Sequence, residues 1–273
     1  MNRKHVMAIA SKDMKLIWKS SKVWIGLIIL PLIMGVIIPA AAILVGRSIS
    51  MEDMNGGMGL LKLIDEIPFE GVGGPLTIHQ KLISFIVNFM LPPLFMLIPV
   101  TNAMMIAVNS FVGEKESRTL ESLMLAPLSI RDLFAGKLLA SFIPSYAAAL
   151  GSFLLCGIVV NLLAYPLFQH LVFPSMNWIV LMLWVIPAFT LTAILFSVLV
   201  SARSKSFQEA QQVAGVIVLP IVGLLIGQAT GVLLISLAIM GIIGAVLMGV
   251  NLGLLAWIAK MNQRDQLFES QIQ

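Results

Sequence analysis

Long apolar stretches alternate with short polar ones along the whole chain, a spacing that predicts an all-α integral membrane protein of six transmembrane helices. The stretches run Val23 to Val45, Ile83 to Val108, Leu138 to Leu163, Trp178 to Val200, Val213 to Gly227 and Val232 to Ala259. Most hold about 20 or more residues, enough at ~1.5 Å per residue to cross a hydrocarbon core of about 30 Å. The fifth is the shortest, and only Gln228 to Gly231 separates it from the sixth. That pair reads either as two spans or as a re-entrant hairpin.

Composition fixes the class. Of 273 residues, 59% are hydrophobic and 11% charged, and the mean hydropathy is +1.00, well above a soluble domain. Charge then orients the chain, because Lys and Arg of short loops are retained on the cytoplasmic side. Of the 17 basic residues, all but Arg47, Lys62 and Lys81 fall in segments that share one side. The expectation is a multi-pass protein of the cell membrane with both termini cytoplasmic. The net charge of +4 follows from this sorting and from attraction to anionic lipid, so it implies no nucleic-acid partner.

The expected organisation is an amphipathic interfacial helix over 1–22, a membrane domain over 23–259 and a cytoplasmic tail over 260–273. In the first of these, Val6, Ile9, Ile17 and Trp18 separate from Lys4, Lys12, Lys15 and Lys19 at helical spacing. An external cap over 46–82 carries Gly-Gly and Gly-Pro turn signals and five acidic residues, and is too small for an independent domain. His79 stands there without a nearby His or Cys, which favours an ordinary histidine over a metal ligand. Pro31, Pro39, Pro92, Pro93, Pro99, Pro144, Pro187 and Pro220 lie within spans, as kink sites or as the ordinary proline of membrane helices. Trp24, Trp178 and Trp257 sit near span ends, where interfacial anchors belong. The single cysteine, Cys156, permits no disulfide within the chain.

One polar island interrupts this pattern: Gly113 to Lys137, GEKESRTLESLMLAPLSIRDLFAGK, between the second and third spans. Glu114 to Leu125 reads as an amphipathic helix. Glu114 and Arg118 pair at i, i+4, Arg118 and Glu121 at i, i+3, and Leu120, Leu123 and Met124 form an apolar stripe. Pro127 stops it, and Ser129 with Asp132 three residues on suits the start of the next helix. A short striped helix continued into a span converts movement of a soluble partner into tilt of that span. The alternative is a solvated connector whose stripe rests on the bundle.

Phe111 to Ala140 resembles the signature of the type-2 ABC exporter permeases, whose segment after the second span reads E-x-E-x-x-T-L-E-x-L-L-x-x-P-L-S and ends in G-K-L-L. Glu114, Glu116, Thr119, Leu120, Glu121, Leu123, Pro127, Leu128, Ser129, Gly136 and Lys137 occupy the matching places, with Met124 where leucine is commoner. Ser201 to Pro220 is similar to the segment before the family's fifth span, at Lys205, Ser206, Glu209, Ala210, Gln211, Gln212 and Pro220. Within the family, the sodium-extrusion-like and drug-resistance-like permeases are the nearest in character, although many of them carry a larger external domain than 46–82. The resemblance implies that Glu114, Glu116, Arg118, Thr119, Leu120, Glu121, Leu123, Met124 and Pro127 belong to a coupling helix seated in a cleft of a cytoplasmic ATPase. It further implies two such ATPase subunits, a second permease copy (identical or paralogous), and ATP with Mg bound by the partner. The chain itself has no G-x-x-x-x-G-K-[ST] loop and no cofactor is expected in it.

Three other functions compete. A secondary, ion-coupled transporter needs an ionisable group near mid-membrane, and every Asp, Glu, Lys and Arg maps to loops or termini in this reading. Asn88, Thr101, Asn102, Asn109, Thr190, Thr192 and Asn251 lie inside spans and read first as interhelical hydrogen-bond partners. An importer-type permease is suggested by Glu209-Ala210, Gly215 and Leu219-Pro220, at a compressed spacing. An intramembrane enzyme finds no H-E-x-x-H, aspartate pair or G-x-S-x-G, and Ser152 has no histidine to activate it.

Overall fold

The computed structural model describes residues 2–19, 21–48, 76–116, 130–231 and 236–263. Among them every regular element is helical, and six helices are long and apolar enough to cross a membrane: Trp24–Ser48, Ile78–Gly113, Arg131–Phe168, Met176–Arg203, Phe207–Ala229 and Leu237–Ile258. All six expected spans are present, each close to its expected place. The fifth, Phe207–Ala229, is 23 residues, long and apolar enough to cross. It is broken in the middle by a 3-10 turn over Gly215–Val218 that precedes Pro220, so Phe207–Ala214 and Leu219–Ala229 are separate α-helical pieces.

The second and fourth spans form the centre, with 67% and 61% of their most apolar windows buried. The other four surround them and present apolar side chains outward, such as Leu162, Leu183, Ile242 and Leu252. In water such a surface would aggregate; in a bilayer it faces lipid tails.

Prolines shape three of the spans in one recurring way. The π-helical turns Ile33–Ile37, Ile86–Met90 and Leu181–Val185 each end two residues before a proline: Pro39, Pro92 and Pro187. A proline ring collides with the carbonyl four residues earlier and removes one hydrogen bond. Those carbonyls belong to Gly35, Asn88 and Leu183, all inside the wider turns. The π-turn therefore absorbs the clash without breaking the helix. Pro99, Pro144 and Pro166 sit within α-helix and have no such turn.

Neighbouring spans donate hydrogen bonds to carbonyls within two of these turns and just before the third. The Trp178 indole N–H donates to the Val87 carbonyl at 3.0 Å, the Tyr146 hydroxyl to the Met182 carbonyl at 2.9 Å, and the Ser152 hydroxyl to the Pro31 carbonyl at 2.9 Å. Ser152 is thus a helix-to-helix tie. Trp178 is no interfacial anchor: it is fully buried, with ring centroids 5.1 Å from Phe95 and 4.9 Å from Phe173. Its position near a span end suggested the interface, but its hydrogen-bonding edge is spent on a distorted carbonyl inside the bundle. Trp178→Phe keeps the ring stack and strands that carbonyl, so a loss of about 1–3 kcal/mol is expected, read as a lower Tm in detergent.

The polar residues inside spans divide. Thr192 donates to Asn251 Oδ1 at 2.9 Å, and Asn251 Nδ2 donates to the Ala188 carbonyl at 2.8 Å, joining the fourth and sixth spans. Thr101 and Thr190 bond back to carbonyls of their own helices. Asn88 Oδ1, Asn102 Nδ2 and both amide atoms of Gln228 are buried without a hydrogen-bond partner among the described residues. His79 Nδ1 donates to the Gly46 carbonyl at 3.1 Å, an ordinary structural bond.

Candidate functional site

The residues flanking the polar island meet at one pole of the bundle. The second span is helical as far as Glu116, as Leu91–Glu116, and the next helix runs Ile130–Phe168. Glu114 and Glu116 therefore extend the second span instead of opening a separate helix. Arg118, Thr119, Leu120, Glu121, Leu123, Met124, Pro127 and Ser129 lie outside the described residues, as does most of the expected external cap, 49–75.

The N-terminal helix, Arg3–Lys19, packs across this pole. Val6, Ile9, Ala10, Asp13 and Ile17 are its buried face, at i, i+3, i+4, i+7 and i+11. Lys4, Lys12, Lys15 and Lys19 point outward, as the amphipathic pattern requires. Trp18 departs from it: it is exposed, and its ring lies 4.3 Å from that of Trp24, whose indole N–H donates to the Trp18 carbonyl at 2.9 Å. The two tryptophans thereby tie the end of the N-terminal helix to the start of the first span.

Gly136 is what lets the N-terminal helix come close to the third span. A Cβ on it would lie 2.7 Å from Ile9 Cβ and 3.0 Å from the Val6 carbonyl oxygen. Polar contacts flank this crossing. Asp132 Oδ1 accepts from the Asn2 backbone N–H at 3.0 Å, and His5 Nδ1 is 3.9 Å from its other oxygen. Asp132 thus serves the N-terminal helix.

Beyond the crossing lies a buried charged cluster. Lys137 is 1% exposed and Asp13 5% exposed, with Nζ 3.8 Å from Asp13 Oδ2. Lys137 Nζ donates to the Ser110 carbonyl at 2.6 Å and to its hydroxyl at 3.0 Å, and that hydroxyl donates to Asp13 Oδ2 at 2.9 Å. The Phe111 ring lies beneath the ammonium at 5.0 Å. Sequence reasoning places Lys137 among the cytoplasmic cations and in the matched G-K-L-L, and gives no role to Asp13 or Ser110. The available signal was Asp13 itself, the single acid in an otherwise basic helix.

The turn between the fourth and fifth spans reaches the same pole. Ser206 caps Phe207–Ala214 by accepting from the Glu209 N–H, and Glu209 Oε2 accepts from the Lys205 N–H at 2.8 Å. Ala210 and Ala214 then pack on Met104, Val108 and Val112 of the second span. Lys205, Ser206, Glu209 and Ala210 are thus accounted for by helix initiation and packing. Among the described residues no group of three His, Cys, Asp or Glu converges as a metal site.

A six-span helical bundle of this composition is a multi-pass membrane protein. Residues 7–264 match the family model described as ABC-2 family transporter protein, and the chain belongs to that family. It is therefore a permease, a membrane component of transport. No curated protein and no solved structure resembles it closely enough to count as a match.

Proposed function

We propose that the chain is the membrane-spanning subunit of an ATP-driven exporter, with a separate cytoplasmic ATPase docked on residues 113–137. The observation that carries this reading is how the two ends of that segment are held. The segment leaves the second span as unbroken helix to Glu116 and re-enters an unbroken helix at Ile130, with both helices joined at Lys137 and Ser110. A push on such a segment tilts two spans together. In this reading the sequence stripe Leu120, Leu123 and Met124, with Thr119 beside it, fills an ATPase cleft, the charges of Glu114, Glu116, Arg118 and Glu121 set register and direction, and Pro127 ends the helix. The partner supplies ATP, Mg and hydrolysis. Because two ATPase subunits work as a pair in such systems, the assembly is two permeases with two ATPases, at the cell membrane with both termini cytoplasmic.

The test is co-expression with an ATP-binding-cassette subunit encoded beside it, purification through a tag on the permease, and assay of ATP turnover in nanodiscs. A stoichiometric complex that hydrolyses ATP is expected. A permease that purifies alone under conditions preserving its fold contradicts the reading.

A further inference from the structure

We infer that Lys137 is a positioning residue that locks the N-terminal helix, the end of the second span and the start of the third span into one rigid body; this rests on the exporter reading above. A lysine that only fixes topology extends its ammonium to the headgroups. Lys137 does the reverse: it is buried, turned inward, and donates into a relay through Ser110 to Asp13. Each of the three groups comes from a different helix, so none of the helices can shift alone without leaving a charge stranded in a low-dielectric interior. Replacing such a pair by apolar groups often costs little stability, which points to geometry as the use of the charges here. Gly136 next to it removes the side chain that would hold the N-terminal helix away, and Asp132 secures that helix at its other end. Both attachments of segment 113–137 to the membrane domain therefore converge on one ammonium group.

The experiment uses the permease–ATPase complex in nanodiscs, with spin labels at Ala8→Cys on the N-terminal helix and Leu139→Cys on the third span in a Cys156→Ala background. In the native cluster the label-to-label distance is expected to be the same without nucleotide and after trapping with ATP and vanadate. In Lys137→Met it is expected to shift and broaden on trapping, and ATP turnover to fall at least about tenfold while the ATPase remains bound. Asp13→Asn, nearly isosteric, is expected to act likewise and serves if Lys137→Met does not fold. Lys137→Arg, which keeps the cation and its donors, is expected to retain turnover. A native distance that changes with nucleotide overturns the proposal, and so does native-like behaviour of both Lys137→Met and Asp13→Asn. Absence of any complex with the unmodified chain removes the exporter reading, and the proposal with it.

Discussion

Gly35→Leu is expected to prevent the first and third spans from packing, with at least about 2–3 kcal/mol of destabilisation and little monodisperse protein recovered. A Cβ at residue 35 would collide with Ser152 Oγ and lie 2.8 Å from the Ser152 carbonyl oxygen and 3.2 Å from Ser152 Cα. The hydroxyl could swing away, but the backbone atoms cannot. Moving the hydroxyl would also break its bond to the Pro31 carbonyl. Gly35 lies in the π-turn that relieves Pro39, so the helix there has no freedom to retreat without restoring the proline clash. The control is Gly249→Leu on the sixth span, where a Cβ meets nothing within 4 Å. Its Tm in detergent is expected to stay close to that of the unmodified chain, and a large fall there would show that bulk alone, not the Gly35–Ser152 crossing, governs the outcome.

The second large effect is expected at the stripe. Under the proposed docking, Leu120→Asp or Leu123→Asp places a charge where an apolar surface would meet a cleft, and the cost of desolvating an unpaired carboxylate is several kcal/mol, roughly a thousandfold or more in affinity. Recovery of the ATPase with the permease should drop below detection while the yield and Tm of the permease itself stay unchanged. Arg118→Ala, at the register-setting position, should weaken the complex by a smaller factor, about tenfold, with stronger salt dependence lost. Full retention of the ATPase by both aspartate variants would mean that the stripe rests on the bundle or on lipid.

Much of this fold was legible because a bilayer imposes a length on every crossing element, and all the apolar runs but the short fifth reach that length. Span ends were less so: the helix of the second span begins at Ile78 under a Thr77–Gln80 capping box and continues to Glu116, because apolarity ends before hydrogen bonding does. The π-turns were only half legible. The prolines announced distortion at Pro39, Pro92 and Pro187, yet nothing local separates them from Pro99 or Pro144, which remain in α-helix; the difference is the neighbouring Trp178, Tyr146 or Ser152 that satisfies the altered backbone. Trp178 was misplaced for the same reason, since indole at a span end satisfies its N–H equally with headgroups or with a free carbonyl. The buried cluster was hidden by distance along the chain. Asp13, Ser110 and Lys137 lie far apart in the sequence, and the packing of the N-terminal helix at Gly136 brings them together.

The account turns on where ATP energy enters, and site-specific photocrosslinking tests that most directly. A benzophenone side chain at Leu123, in the co-expressed complex, is expected to crosslink a chain carrying a Walker A loop, while the same group at Leu252, 68% exposed on the outward face of the sixth span, crosslinks lipid alone. Crosslinking of the ATPase at neither position, or at Leu252 instead of Leu123, would contradict the assignment of residues 113–137 as the coupling segment.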